Sequence, residues 1–220
     1  LNSVLASRDG DPDETLIVKT NSNFGAEPES RLTPEQRALL GLQAHSSSLF
    51  GYQSYQVLPR KAVAPEFWDA PDLTIERYIS NAGDIFYRTY LCRNRLVISR
   101  VVDPALFKKM PPGIPRISWF MDLTRNQVVS GPSDLPLPAE IASAVPAFAA
   151  AFGADFCALD VVQDDAGRCY IIDANVTPWW GPTGHSDLIA FLATGLNGEP
   201  SVCDRPSLQL GAAGRFSLSI

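Results

Sequence analysis

Asp160, Asp173 and Asn175 carry oxygen donors on two β-forming runs, "DFCALDVVQ" and "RCYIIDANV", with "DDAG" between them. So short a connection reads as a hairpin. Side chains alternate along an extended chain, so Ile171, Asp173 and Asn175 share one side of their strand. The register of the hairpin decides whether Asp160 joins them. A two-residue turn at Ala166 and Gly167 sets Asp160 directly opposite Asp173. A four-residue loop over Asp164–Gly167 sets Asp160 opposite Ile171 and diagonal to Asp173, still on the same side. An odd-length loop separates the two acids. Like charges facing each other on a half-buried surface need a cation or a shared proton. Two carboxylates and a carboxamide are hard donors that suit Mg²⁺ or Mn²⁺ and do not suit zinc. Magnesium held by so few protein groups completes its shell with water and substrate phosphates, which implies a nucleotide. The same spacing also fits two aspartates that end their strands and face solvent.

A second cluster lies near the start. "TLIVKT" (Thr15–Thr20) reads as a short strand ending in Lys19, followed by the loop-forming "NSNFGAEPES". Ser22 and Gly25 there allow backbone N–H groups to approach phosphate oxygens. The loop is not a Walker A motif, and a lysine at a strand end also serves as a plain solvated charge.

The elements that must position these residues follow from pattern. "LTPEQRALL" predicts a helix capped by Thr33, with Pro34 in its first turn and Leu39 and Leu40 on its apolar side. "LTIERYI" reads as a strand. "DIFYRTYLC" and "RLVISRVVD" read as a hairpin turning at Arg93 and Asn94. The proline-rich stretch from Phe107 to Pro138 yields no element. "PAEIASAVPAFAAAFG" predicts a helix with Ile141, Val145, Phe148 and Phe152 on one stripe and Gly153 as its stop, with Pro146 expected to kink or restart it. "HSDLIAFLATG" reads as a short helix, and residues 201–220 as a weakly structured tail.

Composition narrows the classes. The chain has 220 residues, 45% hydrophobic and 19% charged, enough to bury a core in one domain or two small lobes. A net charge of −6 offers no field for a phosphate backbone, so nucleic acid is not the expected partner. No apolar run approaches the roughly 20 residues of a spanning helix, and the first ten residues lack signal-peptide character, so no membrane partner is expected. Cys92, Cys157, Cys169 and Cys203 show no CxxC spacing; with only His45 and His185 to join them they read as buried thiols of a cytoplasmic protein. The chain begins with Leu1, which reads as part of something longer.

Taken in order, these pieces resemble the ATP-grasp superfamily of ATP-dependent carboxylate–amine ligases over about Thr15 to Gly195. "LIVKTNSNFGA" resembles the strand, lysine and glycine loop that contact and cover the nucleotide, placing Lys19, Ser22 and Gly25 there. "TIERYI" resembles the hinge whose backbone reads adenine, through Glu76, Tyr78 and Ile79, with Asp84 at the ribose. "DIFYRTYLCRNRLVISR" resembles the next hairpin, whose basic residues, here Arg88 and Arg100, contact phosphates or the acyl phosphate. A two-residue turn at Arg93 and Asn94 would put these arginines on opposite faces, a three-residue one on the same face. "ALDVVQDDAGRCYIIDANVTP" resembles the metal hairpin, so Asp160, Asp173 and Asn175 map onto its ligands. Trp179 and Trp180, just beyond, would wall the acceptor pocket or pack their own loop.

The resemblance implies an α+β, ATP-grasp fold: two α+β lobes with mostly antiparallel sheets enclosing a nucleotide site. Residues 12–78 would form the smaller lobe and 79–200 the larger, with 201–220 as tail. It implies ATP and Mg²⁺ (or Mn²⁺) as cofactors, and a small-molecule or peptide carboxylate and an amine acceptor as substrates. It also implies an N-terminal domain absent from this chain. Where Asp173 stands the family usually has glutamate, and Gly25 is alone in its loop. A non-catalytic ATP-binding module and an ATP-dependent phosphotransferase share the same residues.

Overall fold

A computed structural model describes residues 4–20, 31–40, 55–81, 83–106, 116–178, 185–197 and 201–204. The chain divides between Tyr78 and Ile79 into two compact units. Both contain antiparallel sheet, and the helices belong to the same units as the sheets, so the fold is α+β as expected.

The smaller unit is built on a three-stranded sheet in the order β2-β1-β3, with β1 Thr15–Thr20, β2 Gln56–Pro59 and β3 Leu73–Arg77. Alternation in β1 sends Leu16 and Val18 inward, where they pack with Val63, Leu73 and Ile75. The opposite alternation leaves Lys19 on the other face. Helix α1 (Pro34–Leu39) carries a capping box in which Thr33 and Gln36 each serve the other's backbone N–H. Its leucines correct the expected apolar side: Leu39 and Leu40 are 87% and 62% exposed. Capping, rather than burial, defines this short helix.

The larger unit is a six-stranded sheet in the order β7-β6-β5-β4-β8-β9. The strands are β4 Ile85–Cys92, β5 Arg95–Val102, β6 Arg116–Asp122, β7 Gln127–Ser130, β8 Phe156–Gln163 and β9 Cys169–Asn175. Strands β6 and β7 fall in the proline-rich stretch where the sequence predicts nothing. Helix α2 (Ala139–Phe152) buries Ile141, Val145 and Ala149 on one face of this sheet, against Tyr87, Leu91, Ile98, Trp119, Leu159 and Val161. Burial of the Ile and Val side chains is worth roughly 1.5–3 kcal/mol each. Phe152 departs from the expected stripe at 42% exposed, and Ala149 takes its place in the core. The helix runs unbroken through Pro146 and stops at Gly153 in the left-handed conformation, φ +72°.

Helix α3 (Ser186–Ala193) covers the opposite face, where Leu188 and Leu192 pack with Tyr90, Cys92, Val97 and Ala158. Val202 is buried in the cluster that contains α2, so the expected tail starts as part of the core over residues 201–204. Among the described residues no helix is long and apolar enough to cross a membrane.

Candidate functional site

The larger unit carries a continuous polar row. Cross-strand partners run Ser118 to Ser99, Ser99 to Arg88, Arg88 to Asp160, and Asp160 to Asp173, across β6, β5, β4, β8 and β9. Directly opposed residues share a face, with Cβ atoms about 4.5–5.5 Å apart. The row lies on the face covered by α3, one step from the row Phe120, Val97, Tyr90, Ala158 and Asn175, apolar except at Asn175. It places Asp160, Asp173 and Asn175 on the same side.

The facing of the two acids depends on an irregularity. Gln163 pairs with Cys169, so the loop spans residues 164–168 and is odd in length. Asp164 organises it: its Oδ1 accepts from Ala166 N (3.0 Å) and Arg168 N (2.9 Å), and its Oδ2 accepts from Arg168 Nε (2.8 Å) and Tyr170 Oη (3.2 Å). Gly167 supplies the φ of +81° that the turn requires. Continued regularly, that register would set Asp160 opposite Ile172. Instead the pairing shifts between Asp160 and Val161, and Ile172 is the extra residue in β9. The bulge restores Asp173 to the position opposite Asp160.

Arg88 Nη1 donates to Asp160 Oδ2 at 2.7 Å, with the side chains only 14% and 9% exposed. The guanidinium also lies 5.6 Å from the Tyr90 ring centroid. Burial works against the charge on Arg88, and the Asp160 carboxylate outweighs it and holds the guanidinium more firmly protonated than usual. Arg88 Nε is buried and has no acceptor among the described residues. A buried charged donor without a partner costs on the order of 1–3 kcal/mol, so it is a natural place for an anionic ligand.

Two carboxylates and a carboxamide are hard oxygen donors of the kind that suits a divalent cation. Among the described residues, His, Cys, Asp and Glu side chains nowhere gather in threes in a metal-holding arrangement. An ion here would be held by two carboxylates and Asn175, leaving coordination positions for phosphate oxygens and water. One salt bridge does not exhaust Asp160, since a carboxylate has about four lone-pair sites. Asn175 Oδ1 accepts from Thr177 N at 2.8 Å, which fixes the carboxamide's orientation.

Arg100 does not join this row. The hairpin turns in two residues, Arg93 and Asn94, because Cys92 pairs with Arg95, and Arg93 adopts φ +53°. Arg100 therefore pairs with Tyr87 on the α2 face, and its charge partly offsets the burial that raises the phenol. This corrects the expectation that both arginines serve one site.

In the smaller unit, Lys19 Nζ and Glu76 Oε1 form an ion pair at 2.8 Å, with side chains 18% and 11% exposed. Lys19 is thus not a plain solvated charge. It faces Thr74, and Glu76 faces Ile17, so the pair is diagonal across β1 and β3. Tyr78 N–H donates to the Thr15 carbonyl at 2.9 Å. Ile79 follows as the first residue of the larger unit. Asp84 sits in a left-handed turn, φ +50°, with its carbonyl accepting from Asp103 N at 2.9 Å. Ser22, Gly25, Trp179 and Trp180 lie outside the described residues.

Sequence reasoning missed Ser99, Ser118 and Arg116, which share the face of Arg88. The signal was the alternation of "RISWFMD", in which Arg116, Ser118 and Phe120 oppose Ile117, Trp119 and Met121.

No protein-family model and no curated protein sequence matches this chain. Among solved structures, the ATP-grasp ligase PsnB with a phosphomimetic variant of its minimal precursor, Mg and ADP is 10% identical over 88% of this chain and 54% of that one, with a TM-score of 0.42. PsnB with its minimal precursor is 10% identical over 82% of this chain and 49% of that one, with a TM-score of 0.41. A RiPP-associated ATP-grasp ligase from Chryseobacterium gregarium, with ADP and a leader and core peptide, is 10% identical over 87% of this chain and 51% of that one, with a TM-score of 0.48. The chain spans about half the length of these ATP-grasp ligases, to which it is similar.

Proposed function

We propose that this chain is the nucleotide-handling part of an ATP- and magnesium-dependent ligase of the ATP-grasp type, which joins a carboxylate to an amine or another nucleophile. The observation that carries the reading is the row Arg88, Asp160, Asp173: two facing acids beside an arginine whose buried Nε has no acceptor among the described residues. The order of sequence blocks around it supports the same reading.

Magnesium, when bound, would neutralise phosphate charge at Asp160, Asp173 and Asn175. Arg88 holds Asp160 in place and presents Nε to an anionic oxygen. In the reaction, a substrate carboxylate oxygen attacks the γ-phosphorus, the bond to the β-phosphate oxygen breaks, and ADP leaves. The nucleophile then attacks the acyl carbon, inorganic phosphate leaves, and the nucleophile loses a proton. The protein's contribution is positioning and charge neutralisation.

The test is a calorimetric titration of Mg-AMPPNP into the wild type and Asp173→Asn, followed by an ADP-release screen of carboxylate and amine pairs. The variant should lose the Mg-dependent part of binding and all turnover. Undiminished binding or ligase activity in Asp173→Asn would defeat the assignment. ADP release that yields only a phosphorylated product would identify a phosphotransferase, and nucleotide binding without any release a non-catalytic module.

A further inference from the structure

The polar row divides by chemistry. Donors stand on β4, β5 and β6 as Arg88, Ser99 and Ser118, and carboxylates stand on β8 and β9 as Asp160 and Asp173. Arg88 joins the two halves, with Nη1 committed to Asp160 and Nε buried without an acceptor among the described residues. The serines hold a second unused donor. Ser99 Oγ and Ser118 Oγ lie 2.9 Å apart, a distance that allows either to donate. Burial settles the direction. Ser99 is fully buried, and among the described residues Ser118 is the one partner of its hydroxyl, so the Ser99 hydrogen goes to Ser118.

The Ser118 hydrogen is then left over, on a side chain that is only partly buried. Val97, Val101 and Phe86 flank the pair on this face and are buried and apolar, so they offer it no side-chain acceptor. A hydroxyl that accepts one hydrogen bond donates the next more strongly, because such bonds polarise one another. Ser99, directly opposite Arg88, separates Ser118 from Arg88 by two strand spacings, about 10 Å between Cα atoms. Two hydrogen bonds of about 2.8 Å each, with the width of a phosphoryl or carboxyl group between them, cover most of that distance.

We propose that Ser118 is a further binding residue of this site: its hydroxyl and Arg88 Nε donate to the oxygens of one anionic group, either the phosphoryl group in transfer or the substrate carboxylate that receives it. Ser99 is the positioning residue, which orients and polarises the Ser118 hydroxyl. The assignment rests on the reading of the Arg88, Asp160 and Asp173 row as a site for magnesium and nucleotide.

The experiment uses the full chain with Mg²⁺ and two probes, inorganic phosphate and acetate, titrated calorimetrically at fixed ionic strength. Ser118→Ala should weaken anion binding about tenfold or more, while Ser118→Thr, which keeps the hydroxyl, should stay within about threefold of wild type. A dependence on Ser118 seen with phosphate identifies the phosphoryl group, and one seen with acetate the substrate carboxylate. Ser118→Ala also leaves the buried Ser99 hydroxyl without its partner, whereas the double variant Ser99→Ala with Ser118→Ala removes both groups and costs less stability. The double variant should therefore unfold in urea nearer to wild type than Ser118→Ala does, yet show the same loss of anion binding. Should Ser118→Ala fail to fold, the double variant carries the expectation alone. Binding of both probes untouched by these changes, or absent from the wild type, would overturn the role of Ser118. Mg-AMPPNP is titrated into the wild type in parallel. If it binds while no probe depends on Ser118, the Ser118 assignment fails and the nucleotide reading stands; if it does not bind while a probe does depend on Ser118, the nucleotide reading fails and the anion site stands.

Discussion

Asp160 on β8 and Asp173 on β9 face each other because β9 contains one residue more than a regular ladder allows, Ile172. The loop alone would have sent Asp173 to the α2 side, and the bulge cancels its odd length. Bulges commonly re-aim a side chain in this way.

That relationship predicts opposite outcomes for two length changes. Deleting Ile172 leaves Asp173 directly after Ile171 and therefore still opposite Asp160 in a regular ladder. Mg-dependent AMPPNP affinity should stay within about threefold of wild type, a cost below the 1.4 kcal/mol of a tenfold change. With the bulge at Ile172 retained, inserting one alanine between Ile172 and Asp173 moves the acid opposite Leu159 and should abolish Mg-dependent binding while circular dichroism still shows the sheet. Retained binding in the insertion variant would show that the facing of the acids is irrelevant.

The Arg88–Asp160 pair is largely buried, so removing one partner leaves a charge without compensation. Arg88→Met should cost about 3 kcal/mol in urea unfolding. The double variant Arg88→Met with Asp160→Asn should recover a substantial part of it, because neither side then buries a lone charge. A double variant as unstable as the sum of the two single variants would show that the pair is not coupled.

Glu14 gives the smaller unit an acid-sensitive clasp. The Arg60 side chain, which hydrogen-bonds it, and then Arg77, 2.7 Å away, lower its pKa below the ordinary 4.5 despite opposing burial. A carboxylate with a depressed folded pKa stabilises the protein above its unfolded pKa, and that contribution fades as pH falls through the lower folded value. Glu14→Gln should therefore reduce stability at pH 7 and converge with wild type in acid, once the pH falls below the lowered folded pKa of Glu14, in paired denaturation curves. Parallel curves at every pH would contradict the clasp.

Gly153 ends α2 at φ +72°, with nothing within 4 Å of where a Cβ would stand. Its substitution tests backbone strain without a clash. Gly153→Ala should cost about 1 kcal/mol in the unfolding free energy, and Gly153→Asn less, because asparagine tolerates the left-handed region better.

Much of this protein was legible without coordinates, for reasons that are local. Strand-forming residues bounded by turn signals marked β1, β3, β4, β5, β8 and β9. Pro34 and Thr33 marked the start of α1, and Gly153 the end of α2, because capping chemistry is written within a turn of chain. The same locality explains the failures. Strands β6 and β7 sit among prolines whose local signal opposes a strand, and only pairing, of β6 with β5 and of β7 with β6, makes them strands. Leu39 and Leu40 have the composition of a buried stripe, but nothing in the described structure covers them. The sequence determined that an arginine, two aspartates and an asparagine would lie on strands of adjoining hairpins. Tertiary structure decided which of them meet: a two-residue turn sent Arg100 to the far face, and a one-residue bulge brought Asp173 back to Asp160. Register is a property of paired strands, and side chains alternate with period two, so a single residue gained or lost between strands decides which face a functional group occupies.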